Sequence, residues 1–466
     1  MYNIKIDKIS DKDRYDYSEL IKIFLPPRTF RLLSENDTLP EDYEESININ
    51  FNCSVLEEKD AIKREIYNEL AQLTGMRPAW GILTGVRPVK LAGELLSRLE
   101  DVEKVRDKLT DYYLLSSEKA ELLLETLKYQ QKTAGKVPEN SISLYIGIPF
   151  CPTRCLYCSF TSNQTGPEEI EKYLKALSEE IRVCGEALKK SETSIESVYI
   201  GGGTPTTLTA EQLKELISLV KENFDLSKTR EFTVEAGRPD TVTPEKLQAL
   251  KNCGINRISI NPQTMKDETL KTIGRNHSVE QTKNAFYAAR ETGDFIINAD
   301  LIAGLPEETP EDFKRTVDEI LDLQPENITV HTLAVKKASR LIEADDEFHY
   351  KQGDIVEKML KTARKSLKEA GYRPYYLYRQ KHMAGAFENV GYCREDTPCI
   401  YNIRIMEEKQ SILALGAGGI SKKFYPSENR LERIPNVSNY QIYIERLLEM
   451  TERKRKNFFL RRYKKC

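Results

Sequence analysis

Between residues 142 and 335 the pattern of apolar and polar positions switches repeatedly between two periods. Short strand-like apolar runs fall at 142–148, 196–200, 231–236, 256–261, 295–301 and 327–333. Helical patterns fill the gaps, at 167–190, 209–224, 244–252, 278–292 and 310–322. Steady alternation of this kind predicts a parallel α/β layer built of right-handed crossovers. Six such units suit a partial (β/α)6 barrel, with function at the carboxyl ends of its strands.

The flanks read differently. Residues 1–55 alternate short strands and turns. Ile47, Ile49, Phe51, Cys53 and Val55 are apolar at every second position, the period of a half-buried strand, which makes Cys53 a core residue. Ile62, Ile66, Leu70 and Leu73 predict an amphipathic helix closed by Gly75. A near-repeat follows, Thr74-Gly75-Met76-Arg77-Pro78 and Thr84-Gly85-Val86-Arg87-Pro88, around the only tryptophan, Trp80. Its two arginines could bind an anion or stack on a flat ligand; helix-terminating turns with solvated arginines are the plainer reading. Helices are expected at 88–98, 101–110 and 116–134, and Gly135–Asn140 reads as a linker. The predicted organisation is an N-terminal α+β accessory domain over 1–135, the barrel over 142–335 and a C-terminal mixed α/β extension over 350–466.

Composition narrows the function class. The 466 residues carry a net charge of −3, so no global basic field argues for nucleic acid. The nine cysteines are scattered apart from one trio and the pair Cys393/Cys399, which does not read as a disulfide scaffold. The first residues lack the apolar core of a signal peptide, and no run approaches the roughly 20 apolar residues of a membrane span. The expectation is a cytoplasmic protein in a reducing compartment. Four histidines leave little for histidine-rich metal sites, and no G-x-S-x-G elbow supports a serine triad.

The candidate chemistry starts at the end of the first barrel strand, with Cys151, Cys155 and Cys158 spaced C-x3-C-x2-C. Pro149 and Pro152 keep them out of a helix. Zinc loops and iron–sulfur cubes both ordinarily take four protein ligands. A cube held by three thiolates keeps one iron open to chemistry; three metal-free buried thiols or a zinc loop lacking one ligand are the plainer alternatives. Further along, Gly201-Gly202-Gly203-Thr204-Pro205 follows a strand, where backbone N–H groups can cradle a ligand. Glu235, Gln263, Arg275 and Asp300 stand at or just past later strands, and taken singly each reads as a solvent-facing or capping group. Cys393 and Cys399 could form a redox pair or second cluster, although isolated thiols are more often inert.

The cysteine trio, with Tyr157 before its last member, resembles the signature of radical S-adenosylmethionine (SAM) enzymes. In that family SAM chelates the open iron, and its reductive cleavage yields a 5′-deoxyadenosyl radical. With Tyr145-Ile-Gly-Ile-Pro-Phe-Cys151, GGGTP, Glu235, Gln263, Arg275 and Asp300-Leu-Ile-Ala-Gly-Leu-Pro306, the chain resembles the oxygen-independent coproporphyrinogen III oxidase family over about 142–425. Residues 375–381 and 388–392, with the extra N-terminal domain, resemble its HemZ-type branch, usually named coproporphyrinogen dehydrogenase.

The resemblance implies a radical SAM partial (β/α)6 TIM-like barrel. It makes Cys151, Cys155 and Cys158 the ligands of a [4Fe-4S] cluster, and Tyr145, Tyr157, Gly202, Gly203, Thr204, Glu235, Gln263, Arg275 and Asp300 the SAM contacts. Ile420 falls where the family places a contact to a second SAM. No catalytic residue is implied beyond cluster and SAM, and the electron donor would be a flavodoxin or ferredoxin. The implied reaction is oxidative decarboxylation of two coproporphyrinogen III propionates to vinyls, with residues 350–466 as the porphyrin-substrate domain. Arg379, Lys381 and Arg404 are candidate propionate partners, with Arg373, Arg394, Lys422 and Lys423 behind them. Two departures count. Phe160 stands where decarboxylating members have a further cysteine, and the haem-chaperone pattern His-Asn-x-x-Tyr-Trp is matched only loosely by Tyr401–Met406. Alternatives are therefore another tetrapyrrole reaction, such as anaerobic haem ring opening with methyl transfer, or a haem-binding and trafficking protein.

Overall fold

The computed structural model describes the chain except residues 8, 27, 35–36, 39, 41, 43–46, 52–58, 86, 159–161, 335–351, 381–385 and 461–466. At the amino terminus β1 (Tyr2–Ile6) lies between β2 (Phe30–Leu33) and β3 (Ile47–Phe51), parallel to both. A helix, Asp11–Ile21, intervenes where only strands and turns are expected. Its charge-rich sequence carries little apolar period, but the Ser10 side chain caps it by accepting from the Asp13 N–H. β3 is an edge strand, so its alternation is only partly used: Phe51 is buried, Ile49 half-buried and Ile47 exposed. Cys53 and Val55 lie outside the described residues. The helix Lys59–Thr74 buries Ile62, Ile66 and Leu70 as its period requires, leaves Leu73 exposed, and ends at Gly75 with φ 71°.

The six strand-like runs form six parallel strands in sequence order. They are β4 (Ser141–Ile148), β5 (Ser194–Gly202), β6 (Glu231–Gly237), β7 (Arg257–Ile260), β8 (Ile296–Ala303) and β9 (Asn327–Thr332). The connecting helices Pro167–Lys189, Ala210–Asn223, Pro244–Asn252, Val279–Thr292 and Pro310–Asp322 match the expected ones within a residue or two. One parity of each strand faces this packed outer layer; Leu144, Ile146, Val198, Ile200, Val234, Ile258, Leu301 and Val330 are buried there. Each such side chain contributes about 1.5–3 kcal/mol by leaving water. The other parity is polar and meets across the lumen. Ser143 bonds Ser197, Tyr199 bonds Glu235, Arg257 pairs with Glu231, and Thr329 bonds Asn298.

The barrel's two free edges are covered by later strands rather than by a separate domain. β10 (Arg373–Arg379) and β11 (Glu388–Cys393) continue the sheet antiparallel beyond β9. β12 (Ser411–Leu415) pairs parallel with β4 and leads into the antiparallel β13 (Ile420–Tyr425) and β14 (Arg430–Pro435), giving one eleven-stranded sheet. Edge strands demand such cover because their unpaired N–H and C=O groups otherwise invite aggregation. The expected unit 350–466 is thus structurally part of the barrel sheet. The expected boundary near 135 also shifts. Helices Pro88–Leu99 and Ser117–Thr133 share the barrel's core, whereas residues 4–82 bury a smaller core of their own.

The helix Ile400–Glu407 lies across the amino end of the lumen. Glu231, the first residue of β6, accepts from the N–H groups of Ile400 (2.8 Å) and Tyr401 (3.2 Å), a favourable place for a carboxylate at a helix start. Tyr401 then points inward and stacks on Tyr199, ring centroids 4.6 Å apart.

Candidate active site

At the carboxyl end of β4 the chain leaves the sheet at Pro149, and its return at Asn163 is tied to the exit. Cys151 N–H donates to the Asn163 carbonyl (3.1 Å), and Asn163 N–H to Pro149 (2.9 Å). The loop between them carries the three cysteines. Leu156 N–H anchors its far side to the Ile273 carbonyl (2.9 Å), and Thr153 Oγ1 to Gly274 (3.3 Å). Arg238, which follows β6, holds the loop from below. Its Nη1 donates to Thr153 Oγ1 at 2.6 Å and lies 3.9 Å from Cys155 Sγ, while Asp240 grips the other edge of the guanidinium at 3.0 Å.

The glycine-rich segment closes over the first cysteine. Gly203 N–H donates to the Ile148 carbonyl and Thr204 N–H to Phe150, both at 2.8 Å, and Thr204 Oγ1 lies 3.4 Å from Cys151 Sγ. A Cβ on Gly203 would stand 2.5 Å from the Phe150 carbonyl oxygen and 2.9 Å from Cys151 Sγ. Gly203→Ala should therefore prise the glycine segment off the cysteine loop. Anaerobic reconstitution is expected to give at most about a tenth of the wild-type iron and sulfide, as forced overpacking costs about 1–3 kcal/mol. Wild-type iron content in that variant would show that the contact is unimportant.

The three thiols fit a multi-iron cluster. Burial pushes the Cys151 thiol up to about 11; a hydrogen bond from Thr204 opposes this, and Cys158 and Cys155 add to it, so the three act on one another electrostatically. Arg238 and Arg275 bring positive charge to the same loop. Among the described residues no three His, Cys, Asp or Glu side chains converge as a cage for one ion.

Above and beside the loop, the strand ends present half-buried polar groups. Glu235 accepts from Tyr199 Oη at 2.5 Å and from Gly202 N–H at 3.2 Å. Burial raises its carboxyl to about 7; the Tyr199 bond opposes, the Asp300 charge adds, and Gly202 opposes. Asp300 goes the other way. Burial works against its charge, but His331, Asn298 and Thr329 outweigh it and hold the carboxyl below the usual range. Asn298 donates to it at 2.8 Å, His331 Nε2 lies 3.7 Å away, and Tyr378 Oη contacts the other ring nitrogen of His331 at 3.3 Å. Two carboxyl groups with opposite shifts, on β6 and β8 with β7 between them, can divide proton-holding and cation-binding roles near neutral pH.

Tyr145, Tyr199 and Tyr401 stack beneath Glu235, with interplanar angles of 15–21°. Arg275, buried, donates to the Asn261 carbonyl (2.7 Å) and to Tyr157 Oη (3.1 Å), joining the cysteine loop to β7. Gln263 is fixed by its backbone, with φ 73° and bonds to Asp300 O and from Ile302 N–H. The structure thus brings Tyr157, Gly202, Gly203, Thr204, Glu235, Gln263, Arg275 and Asp300 to the end of the barrel that holds the three cysteines, with Tyr145 below them in the tyrosine stack. Ser259 Oγ, Asn261 Oδ1 and Arg275 Nε are buried near this end of the barrel, and Thr233 Oγ1 deeper in the lumen, without a partner among the described residues. Ile420 is exposed at the start of β13, after a loop that packs on Gly147.

Two of the expected propionate partners are committed elsewhere. Arg404 is buried at the amino end, donating to Glu196 twice at 2.9 Å, to Glu407 and to three carbonyls of residues 134–136. Arg379 is buried against the N-terminal helices, where it donates to the Ala386 and Leu83 carbonyls and lies 4.9 Å from the Trp80 ring centre. Trp80 itself donates to Glu388, which Lys119 pairs at 2.6 Å, so the tryptophan serves docking and not a flat ligand. Lys381 and Phe160 lie outside the described residues. Cys393 and Cys399 are buried; burial pushes Cys393 up to about 12, and Cys399 donates to Glu231 at 3.2 Å, which leaves both inert. Arg238, Tyr199, Tyr401 and His331 are site residues that sequence reasoning missed. Only their places just past or on barrel strands, or in the chaperone-like segment, offered a signal.

The Radical SAM superfamily profile matches residues 145–320. The oxygen-independent coproporphyrinogen-III oxidase-like protein HemZ of Bacillus subtilis is 40% identical over 406 residues, covering 85% of this chain and 80% of that protein. The heme chaperone HemW of the same organism is 38% identical over 198 residues, 42% of this chain and 51% of HemW. Among solved structures, the radical SAM enzyme coproporphyrinogen III oxidase (HemN) of Escherichia coli shares the fold. The TM-score is 0.54 at 24% identity, over 69% of this chain and 72% of HemN. No described helix is long and apolar enough to cross a membrane. A barrel with its cysteine loop and glycine segment in register, and sequence shared over four-fifths of a HemZ protein, place the chain in the radical SAM family of oxygen-independent coproporphyrinogen III oxidases, within the HemZ branch.

Proposed function

We propose that the chain oxidatively decarboxylates two propionates of coproporphyrinogen III to vinyls in the cytoplasm, taking electrons from a flavodoxin- or ferredoxin-class donor. The observation that carries this is the three-cysteine loop closed by the glycine segment, at the barrel mouth where Glu235 bonds Gly202 and Asp300 bonds Asn298. Cys151, Cys155 and Cys158 would hold a [4Fe-4S] cluster, and Tyr145, Tyr157, Gly202, Gly203, Thr204, Glu235, Gln263, Arg275 and Asp300 would hold SAM. A second SAM beside Ile420 is part of the same reading.

When bound, cluster and SAM supply one-electron cleavage chemistry and hydrogen abstraction from the propionate β-carbon; the chain supplies place and environment. Glu235, fixed by Tyr199 and Gly202, offers a carboxyl that gains or loses a proton near neutrality and can bind ribose hydroxyls or an amine. Asp300 stays ionised and suits a cationic or hydroxyl partner. The tyrosine stack lies below Glu235, and this reading therefore seats the tetrapyrrole ring above it, at the carboxyl mouth.

The HemW relatives support a second reading, haem binding without turnover. Against it, the segment Tyr401–Met406, the nearest and only loose match to the chaperone pattern, forms the lumen-closing helix; Tyr401, Ile403 and Arg404 are buried. The test is an anaerobic assay of reconstituted protein with SAM, a reductant and coproporphyrinogen III, products resolved by mass. Stepwise loss of two carboxyl groups is expected. Cleaved SAM with unchanged substrate would reject this substrate. Stoichiometric haem binding without SAM cleavage would reject the enzyme.

A further inference from the structure

We propose that the amino end of the barrel carries a second ligand site, for a phosphate-type oxyanion, formed by Arg87, Lys90, Lys422 and Arg433 around Glu408. It lies at the opposite end of the strands from the cysteine loop and does not depend on the reading of that site. Glu408 follows the lumen-closing helix, just before β12 begins beside the start of β4. Arg87 and Lys90 come from the start of the helix Pro88–Leu99, and Lys422 and Arg433 face each other in the β13–β14 register.

Four cations converge on one carboxylate. Arg87 Nη2 is 3.0 Å, Arg433 Nη2 3.3 Å and Lys422 Nζ 3.9 Å from Oε1, and Lys90 Nζ is 3.6 Å from Oε2. One carboxylate cannot neutralise four cations, so among the described ion pairs the cluster keeps an excess of positive charge, and its members lie close enough to repel. That repulsion is legible in the groups themselves. Burial pulls the Lys422 ammonium down to about 8, Arg87 pushes it the same way, Glu408 opposes, and Arg433 adds. Arg87 is lowered by burial and by Arg433 against the pull of Glu408.

Donor capacity is unspent as well. Arg87 Nε is buried with no acceptor among the described residues. The Lys422 side chain is 10% exposed, yet its ammonium has the Ile405 carbonyl at 3.5 Å and Glu408 at 3.9 Å, both long for a charged donor. Arg433, by contrast, is 58% exposed and leaves the cluster open to solvent. Two guanidinium forks beside two ammoniums match the several oxygens and double charge of phosphate or a phosphate ester better than one more carboxylate. The arginine of the second Thr-Gly-x-Arg-Pro turn is therefore not a solvated chain end but part of this cluster, whereas Arg77 of the first is exposed.

The probe is inorganic phosphate, titrated calorimetrically into the full-length chain at low ionic strength, with acetate as the monovalent comparison. One phosphate per chain is expected, bound at least tenfold more tightly than acetate. Arg433→Ala, at an exposed position, should weaken phosphate about tenfold, the scale of one charged hydrogen bond, and Lys422→Met at least as much. Glu408→Gln should tighten it, because the competing carboxylate is gone. Thermal melts of each variant separate a lost site from a lost fold, and Arg433→Ala keeps the test valid if Lys422→Met unfolds. Absence of saturable phosphate binding, unchanged binding in Arg433→Ala, or weaker binding in folded Glu408→Gln would overturn the site.

Discussion

Glu235→Gln is expected to stabilise the chain, before cluster or SAM is added, by about 3 kcal/mol at pH 8, while abolishing SAM binding. In the fold the Glu235 carboxyl titrates at about 7, against 4.5 for an ordinary glutamate. Between those values the unfolded chain has released its proton and the folded chain still holds one. Stability contributed by this group is therefore lost as pH rises from about 4.5 to 7, at about 1.4 kcal/mol per unit. Glutamine carries no such penalty and can still accept from Tyr199. Urea unfolding from pH 5 to 8 should show the variant pulling ahead of wild type across that window, and equilibrium dialysis should show SAM lost. Parallel pH profiles would mean that Glu235 is not a strained carboxylate. A costly charge kept at the mouth of a barrel is what a binding site, not a scaffold, requires.

Arg404→Ala tests the opposite kind of residue. Its guanidinium neutralises Glu196, which is 2% exposed and is also bonded by Gln410 at 2.7 Å. Removing it leaves that carboxylate buried with Arg230, a half-exposed partner at 3.1 Å, as its remaining cation. A broken buried pair costs about 3–5 kcal/mol, and that is the expected fall in unfolding free energy. Porphyrinogen affinity of the protein that remains folded should not change. A double variant, Arg404→Leu with Glu196→Leu, should recover much of the loss, because desolvating the pair is itself expensive. Weaker porphyrinogen binding with an unchanged unfolding midpoint would restore Arg404 as a propionate partner.

These two residues mark the line between what was legible in the chain and what was not. The place of Glu235 near a strand end beside the glycine segment was legible because it ends a strand-like run, in fixed order after the cysteine trio and that segment. Strand parity and strand end are local properties, and in a parallel barrel they decide which side chains reach the mouth. Arg404 was misread because a charged residue in a C-terminal segment looks like a solvated or ligand-binding group. Its partner Glu196 is 208 positions away, set beside it by a bulge in β5.

The six strands, their helices, the cysteine loop and the order of the mouth residues were determined by the sequence alone. Each rests on hydrophobic period, proline and glycine positions, or spacing within a few residues. The tertiary structure alone decided that residues 400–407 close the lumen and that later strands extend the barrel sheet instead of forming a domain. It alone placed Arg379 on Trp80, and Arg87 and Lys422 around Glu408. Those outcomes depend on pairing between segments outside one another's local sequence, in cases such as Arg87 with Glu408 hundreds of residues apart. Periodicity is blind to which distant partner a buried charge or an exposed strand edge will find, because only packing brings the two within hydrogen-bond range.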